Sequence, residues 1–160
     1  MPRPVRGIER KKGGCFLYTS KKTIAAMLLI IVLFTAFYLF RGDYSLTPSF
    51  SEGVFTLDGP QGLVYTARYE DIVSLRFAQD MELGEQLSGG KNYGYLYGMY
   101  RSDELGEYML CSMSKLHDYI LITDASGATL AFTADNNEAT RNLYEAFLAL
   151  LREEGFDPKT

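Results

Sequence analysis

Eighteen consecutive residues, TIAAMLLIIVLFTAFYLF from Thr23 to Phe40, carry no charge. As a helix rising about 1.5 Å per residue they span roughly 27 Å, close to the ~30 Å hydrocarbon core of a bilayer. A run that is apolar on every side has no polar face to turn to water, so protein or lipid must cover it. A cleaved leader has a shorter apolar core, about 7–15 residues, closed by small residues. Here the run closes on the bulky FYLFRGDY. A buried core helix fits poorly beside Lys21, Lys22 and Arg41. The run therefore predicts an uncleaved single-pass anchor in the cell membrane, with the lipid bilayer as the partner of residues 23–40.

The charge on either side sets the orientation. Residues 1–22 hold seven basic side chains, Arg10, Lys11, Lys12, Lys21 and Lys22 among them, against Glu9 alone. Basic residues beside a span stay in the cytoplasm. The expected topology is N-terminus inside and residues 42–160 outside. Those later residues hold 8 basic and 19 acidic side chains, a net of −11. That balance excludes nucleic acid as a partner, since phosphate backbones demand clustered Lys and Arg.

Beyond the span, the pattern divides into a linker at 41–53, a folded domain at 54–155 and a tail at 156–160, behind the basic segment 1–22. Seven β-rich runs follow one another: Val54–Leu57, Leu63–Tyr69, Ile72–Ala78, Tyr93–Arg101, Glu107–Met113, Asp118–Thr123 and Ala128–Thr133. Turn residues separate them, DGPQG and DASG most clearly. Residues 79–92 are polar and Gly-rich and read as a loop. The period then lengthens. Asp135-Asn136-Asn137-Glu138 has the form of a capping box, and Ala139, Leu143, Phe147, Leu150 and Leu151 repeat at helical spacing.

Three stretches carry a family resemblance: YEDIVSL (Tyr69–Leu75), GKNYGYLYG (Gly90–Gly98) and the final hairpin with its helix, Asp118–Leu151. Together they resemble the small bacterial pleckstrin-homology-like (PH-like) domains found beside transmembrane helices. The resemblance implies a mainly β (α+β) fold: a bent seven-stranded antiparallel barrel capped by a C-terminal helix. It does not extend to phosphoinositide binding. Eukaryotic PH domains commonly use basic residues in the first hairpin for that purpose, and DGPQG has none.

KNYGYLYGMY raises the question of a binding surface. As one strand it would put Tyr93, Tyr95, Tyr97 and Met99 on one face. That row is either an aromatic platform for a peptide or glycan, or a packed wall in which Gly94 and Gly98 relieve crowding. His117 is the only histidine, and its neighbour Asp118 points away from it on a strand, so no catalytic dyad is marked. The two cysteines, Cys15 and Cys111, fall on opposite sides of the expected membrane. Cys111 reads as a small buried hydrophobe. No metal or cofactor motif is present. The expected function is a non-enzymatic, membrane-anchored module that binds a membrane or envelope protein. The alternatives are a small enzyme or soluble-ligand sensor at the barrel mouth, and an accessory subunit of a membrane complex.

Overall fold

The computed structural model describes residues 21–40 and 45–160, with side chains on the first of these stretches from residue 26 to 36. Arg10, Lys11, Lys12 and Cys15 lie outside the described residues. So do the side chains of Lys21, Lys22, Thr23 and Phe40. The chain divides into two units, Met1–Arg41 and Gly42–Thr160.

In the first unit, helix α1 runs unbroken over Lys21–Phe40. Its large apolar side chains from Met27 to Phe34 are all 53–64% exposed. Among the described residues, no helix is long and apolar enough to cross a membrane.

The second unit is mainly β. Strands β1 (Thr47–Ser51), β2 (Val54–Asp58) and β3 (Val64–Arg68) form an antiparallel meander. The larger sheet holds β4 (Ile72–Gln79), β5 (Glu85–Gln86), β6 (Gly90–Asn92), β7 (Tyr95–Ser102), β8 (Gly106–Met113), β9 (Asp118–Asp124) and β10 (Thr129–Phe132). Its order is β4-β9-β10-β8-β7-β5, with β6 further along the same side of β7. Helix α2 (Asn137–Glu153) closes the unit.

All seven expected strands and the terminal helix are present, yet the expected barrel is not. The strands form two sheets rather than a closed barrel, and β10 pairs with β8 in parallel. The cause is the burial of β10. Leu130 and Phe132 enter one core cluster and Ala131 the other, so the strand needs neighbours on both edges. It slots between β8 and β9, two strands that are antiparallel to one another.

The larger sheet has to curl. Six flat strands at about 4.8 Å spacing would hold β4 and β5 roughly 24 Å apart. The chain from Gln79 to Glu85 reaches at most about 22 Å when extended, and Asp80 and Gly84 take positive φ instead. The connecting loop brings Met81 and Leu83 against Tyr100, Tyr108, Leu110, Tyr119, Leu121 and Ala131. The Tyr108 hydroxyl donates to the Leu83 carbonyl at 2.7 Å. The opposite face of the sheet carries the main core, where Phe55, Leu57, Leu75, Cys111, Ile120, Ile122, Leu130 and Phe132 meet Phe147 and Leu151 of α2.

Three stretches read as irregular carry structure in this unit, the expected loop at 79–92 among them, which holds β5 and β6. The stretch 41–53, expected as a linker, contains β1. Only Phe50 of that strand is a large apolar residue, and its ring lies 4.8 Å from Phe147 and 5.4 Å from Phe55. The expected tail 156–160 is pinned as well: Phe156 packs on the core, and Lys159 bridges β4 at Ser74. Helix α2 is capped one residue later than expected. Asn136 is the N-cap and accepts from the Ala139 N–H at 2.8 Å. Ala139 occupies the N3 position, so there is no reciprocal box.

Candidate functional site

The tyrosine stretch does not begin as a strand. Tyr93 and Gly94 are the two central residues of the β6–β7 hairpin, and both take positive φ, 46° and 86°. A two-residue turn of this kind matches the twist of its flanking strands. Tyr93 therefore stands at the hairpin tip, 53% exposed, with its N–H bonded to the Asn92 side chain at 3.0 Å.

Tyr95, Tyr97 and Met99 do share a face, the one turned toward the main core. They sit opposite Met113, Cys111 and Met109 on β8, and all three are half-buried. Tyr97 packs against the main core. The alternate residues Leu96 and Tyr100 pack into the second cluster. The structure thus keeps three of the four residues in the expected row on one face, with Tyr97 against the main core, and sets Tyr93 apart at the hairpin tip.

A feature that the sequence hid lies beside them. Between Gln86↔Tyr100 and Gly90↔Tyr97, three residues (87–89) oppose two (98–99). This is a β-bulge, and the N–H groups of Leu87 and Ser88 both donate to the Met99 carbonyl, at 2.8 and 3.2 Å. Gly98, at φ 121°, lets the two backbones approach closely there. A groove of about 350 Å³ opens between this bulge and the β2–β3 connection. Pro60, Leu63, Tyr97, Met99 and Met109 line it, so its walls are chiefly apolar.

A second concavity, about 640 Å³, is of another kind. It is lined by Asp80, Glu82, Glu85, Asp103 and Glu104 around Arg101. Arg101 is already ion-paired with Glu107. His117 finds a partner that the sequence did not mark: its Nδ1 lies 3.3 Å from Asp80 Oδ1, with both groups largely exposed. Among the described residues, no group of three or more His, Cys, Asp or Glu could hold a metal ion.

Burial sets the titration of the enclosed groups. The Cys111 thiol is pushed up to about 12 by desolvation, which makes it a poor nucleophile. Tyr108 is pushed up to about 12, chiefly by burial. The Tyr65 hydroxyl is raised by burial and then by the Asp124 carboxylate, which accepts its hydrogen bond at 3.5 Å. Each is a side chain held neutral by its surroundings. No family model, curated protein or solved structure matches this chain.

Proposed function

We propose that the chain is a single-pass membrane protein whose outer unit, residues 42–160, is a non-enzymatic module that binds another protein. The observation that carries the anchor is the exposure of α1: every described side chain from Ala26 to Thr35 is exposed. An apolar helix with no polar face needs a cover. The helical backbone runs from Lys21 to Phe40, and the sequence is uncharged from Thr23 to Phe40. Lipid is the cover that suits such a length.

The module reading draws on the second unit. Its buried Cys111 thiol and Tyr108 hydroxyl are held neutral, and its carboxylate-lined concavity opens to water, which suits recognition better than sequestered chemistry. The PH-like reading is supported by strands followed by an amphipathic helix that docks on the sheet. The parallel β8–β10 pair counts against it.

Alkaline carbonate extraction and cysteine labelling test the proposal together. The full-length protein should stay in the membrane pellet. Ser51→Cys, at an exposed position on β1, should react with an impermeant maleimide on intact cells. A photocrosslinker at Tyr93 should capture a protein. Release by carbonate, or labelling only after permeabilisation, would defeat the anchor or its orientation.

A further inference from the structure

We infer that the free edge of β3 accepts an extended, basic segment of another protein as a fourth strand of the small sheet. This deepens the interaction-module reading and rests on it.

The parity of the hydrogen bonds identifies the edge. Tyr69 N–H donates to the Gly53 carbonyl, and Gly59 N–H to the Leu63 carbonyl. With the β2–β3 register, these bonds assign the odd-numbered residues of β3 to pairing with β2. Val64 and Thr66 then turn their N–H and C=O groups outward, as alternate residues of an edge strand must, and Arg68 turns its N–H outward while its carbonyl caps the turn Tyr69–Asp71. All three side chains are exposed, Val64 to 54%.

An open edge invites another strand, and folded proteins usually guard against it. The other edges here are guarded. On β1 the same parity places Pro48 at an outward position, where it has no N–H to offer. On β4 the chain near the C-terminus does the guarding. Lys159 N–H donates to the Val73 carbonyl, and the Lys159 carbonyl accepts from Leu75 N–H and Ser74 Oγ. On the far side of β7, β5 and β6 are two and three residues long and are parted by the bulge. Strand β3 has no proline and no bulge, and no segment among the described residues pairs with its outer edge.

Charge selects the occupant. Asp58 lies across from Val64, Glu70 and Asp71 follow the strand, and Asp124 meets the Tyr65 hydroxyl. Arg68, the cation on β3, is tied to Glu70 at 2.7 Å. With the net of −11 over residues 42–160, the field around the edge favours lysine- or arginine-bearing segments. A second copy of the same acidic unit is repelled.

The test uses the full-length chain in detergent micelles and a capped nine-residue peptide alternating lysine with valine and threonine. Two controls accompany it: the same peptide with glutamate for lysine, and a copy alternating D- and L-residues, which keeps the charge but cannot match the pleat and twist of an all-L edge strand. The all-L basic peptide should slow amide exchange at Val64, Thr66 and Arg68. Both controls should bind at least tenfold more weakly. Thr66→Pro removes an outward N–H and no bond within the sheet, and it should weaken binding tenfold or more. Thr66→Lys, which repels the probe without touching the backbone, should weaken it as well.

Equal binding by the D/L copy would mean mere charge adsorption and overturn the inference. So would unchanged exchange at the three amides, or full binding by both variants. Protection that appears without peptide and grows with protein concentration would assign the edge to a second copy and overturn it too. Crosslinks from the intact membrane that map elsewhere, with the edge unprotected, would remove this inference and leave the module reading standing.

Discussion

Two glycines in one short stretch should respond very differently to a single methyl group. Gly98 has φ 121°, and a Cβ there would overlap the Ser88 carbonyl oxygen and lie 2.6 Å from Gly89 Cα. A side chain at such a φ costs roughly 1–2 kcal/mol. The overlap falls on backbone, which cannot rotate away, and overpacking of that kind costs about 1–3 kcal/mol more. Relief would require the bulge to open, losing the Leu87 and Ser88 bonds to Met99, each worth about 1 kcal/mol. Because relaxing one cost incurs another, Gly98→Ala should destabilise by about 3–5 kcal/mol. Gly94, at φ 86°, has nothing within 4 Å of a Cβ. Gly94→Ala should therefore cost only the backbone term, about 1–2 kcal/mol.

The chain has no tryptophan, so urea unfolding of the full-length protein in detergent can be followed by tyrosine fluorescence and circular dichroism. Losses equal within about 0.5 kcal/mol, the usual scatter for independent sites, would refute the reasoning. They would mean that backbone conformation alone matters and that the close approach at the bulge does not.

Phe147 is 1% exposed and stacks on Phe55 at 5.0 Å. Phe147→Ala should cost about 3–5 kcal/mol in the same unfolding assay, and a loss under about 1 kcal/mol would mean that α2 does not dock. Stability should also fall at alkaline pH. Tyr108 has a folded pKa raised from 10.0 to about 12, so its contribution is complete below pH 10 and is lost as pH rises toward 12. A flat urea midpoint between pH 9 and 12 would contradict this. Cys111, fully buried, should react with iodoacetamide only as fast as the unit unfolds, and rapid alkylation at Cys111 of the native protein, located by peptide mass spectrometry, would show the strand to be exposed.

The elements were legible wherever burial left a period. The apolar runs in β4, β8, β9 and β10 and the helical spacing of α2 all survive in the structure. The shortest strands were not legible. β1 buries one large side chain behind Pro48, so TPSFS has the composition of a linker. β5 and β6 lie in a polar stretch broken by glycines, because their task is to follow β7 around a bulge and not to fill a core. The parallel partner of β10 left no mark, since nothing local distinguishes which of two neighbours a buried strand will take.

The same limit explains the candidate site. The row from Tyr93 to Met99 read as either a platform or a packed wall, because alternation is visible in a sequence and turn geometry is not. Once Tyr93 and Gly94 take positive φ, the row loses its first member, and the rest face a core that already holds Cys111. Strand β3 presents the converse case. VYTAR alternates modestly and has no unusual residue, so its sequence reads as an ordinary strand. Its interest comes only from what the other edges possess: a proline on β1, a backbone bridge from Lys159 on β4, and a bulge beside β7. An edge is a property of pairing, set by which strands meet across the sheet. The residues that leave β3 open are therefore the ones elsewhere that close its rivals.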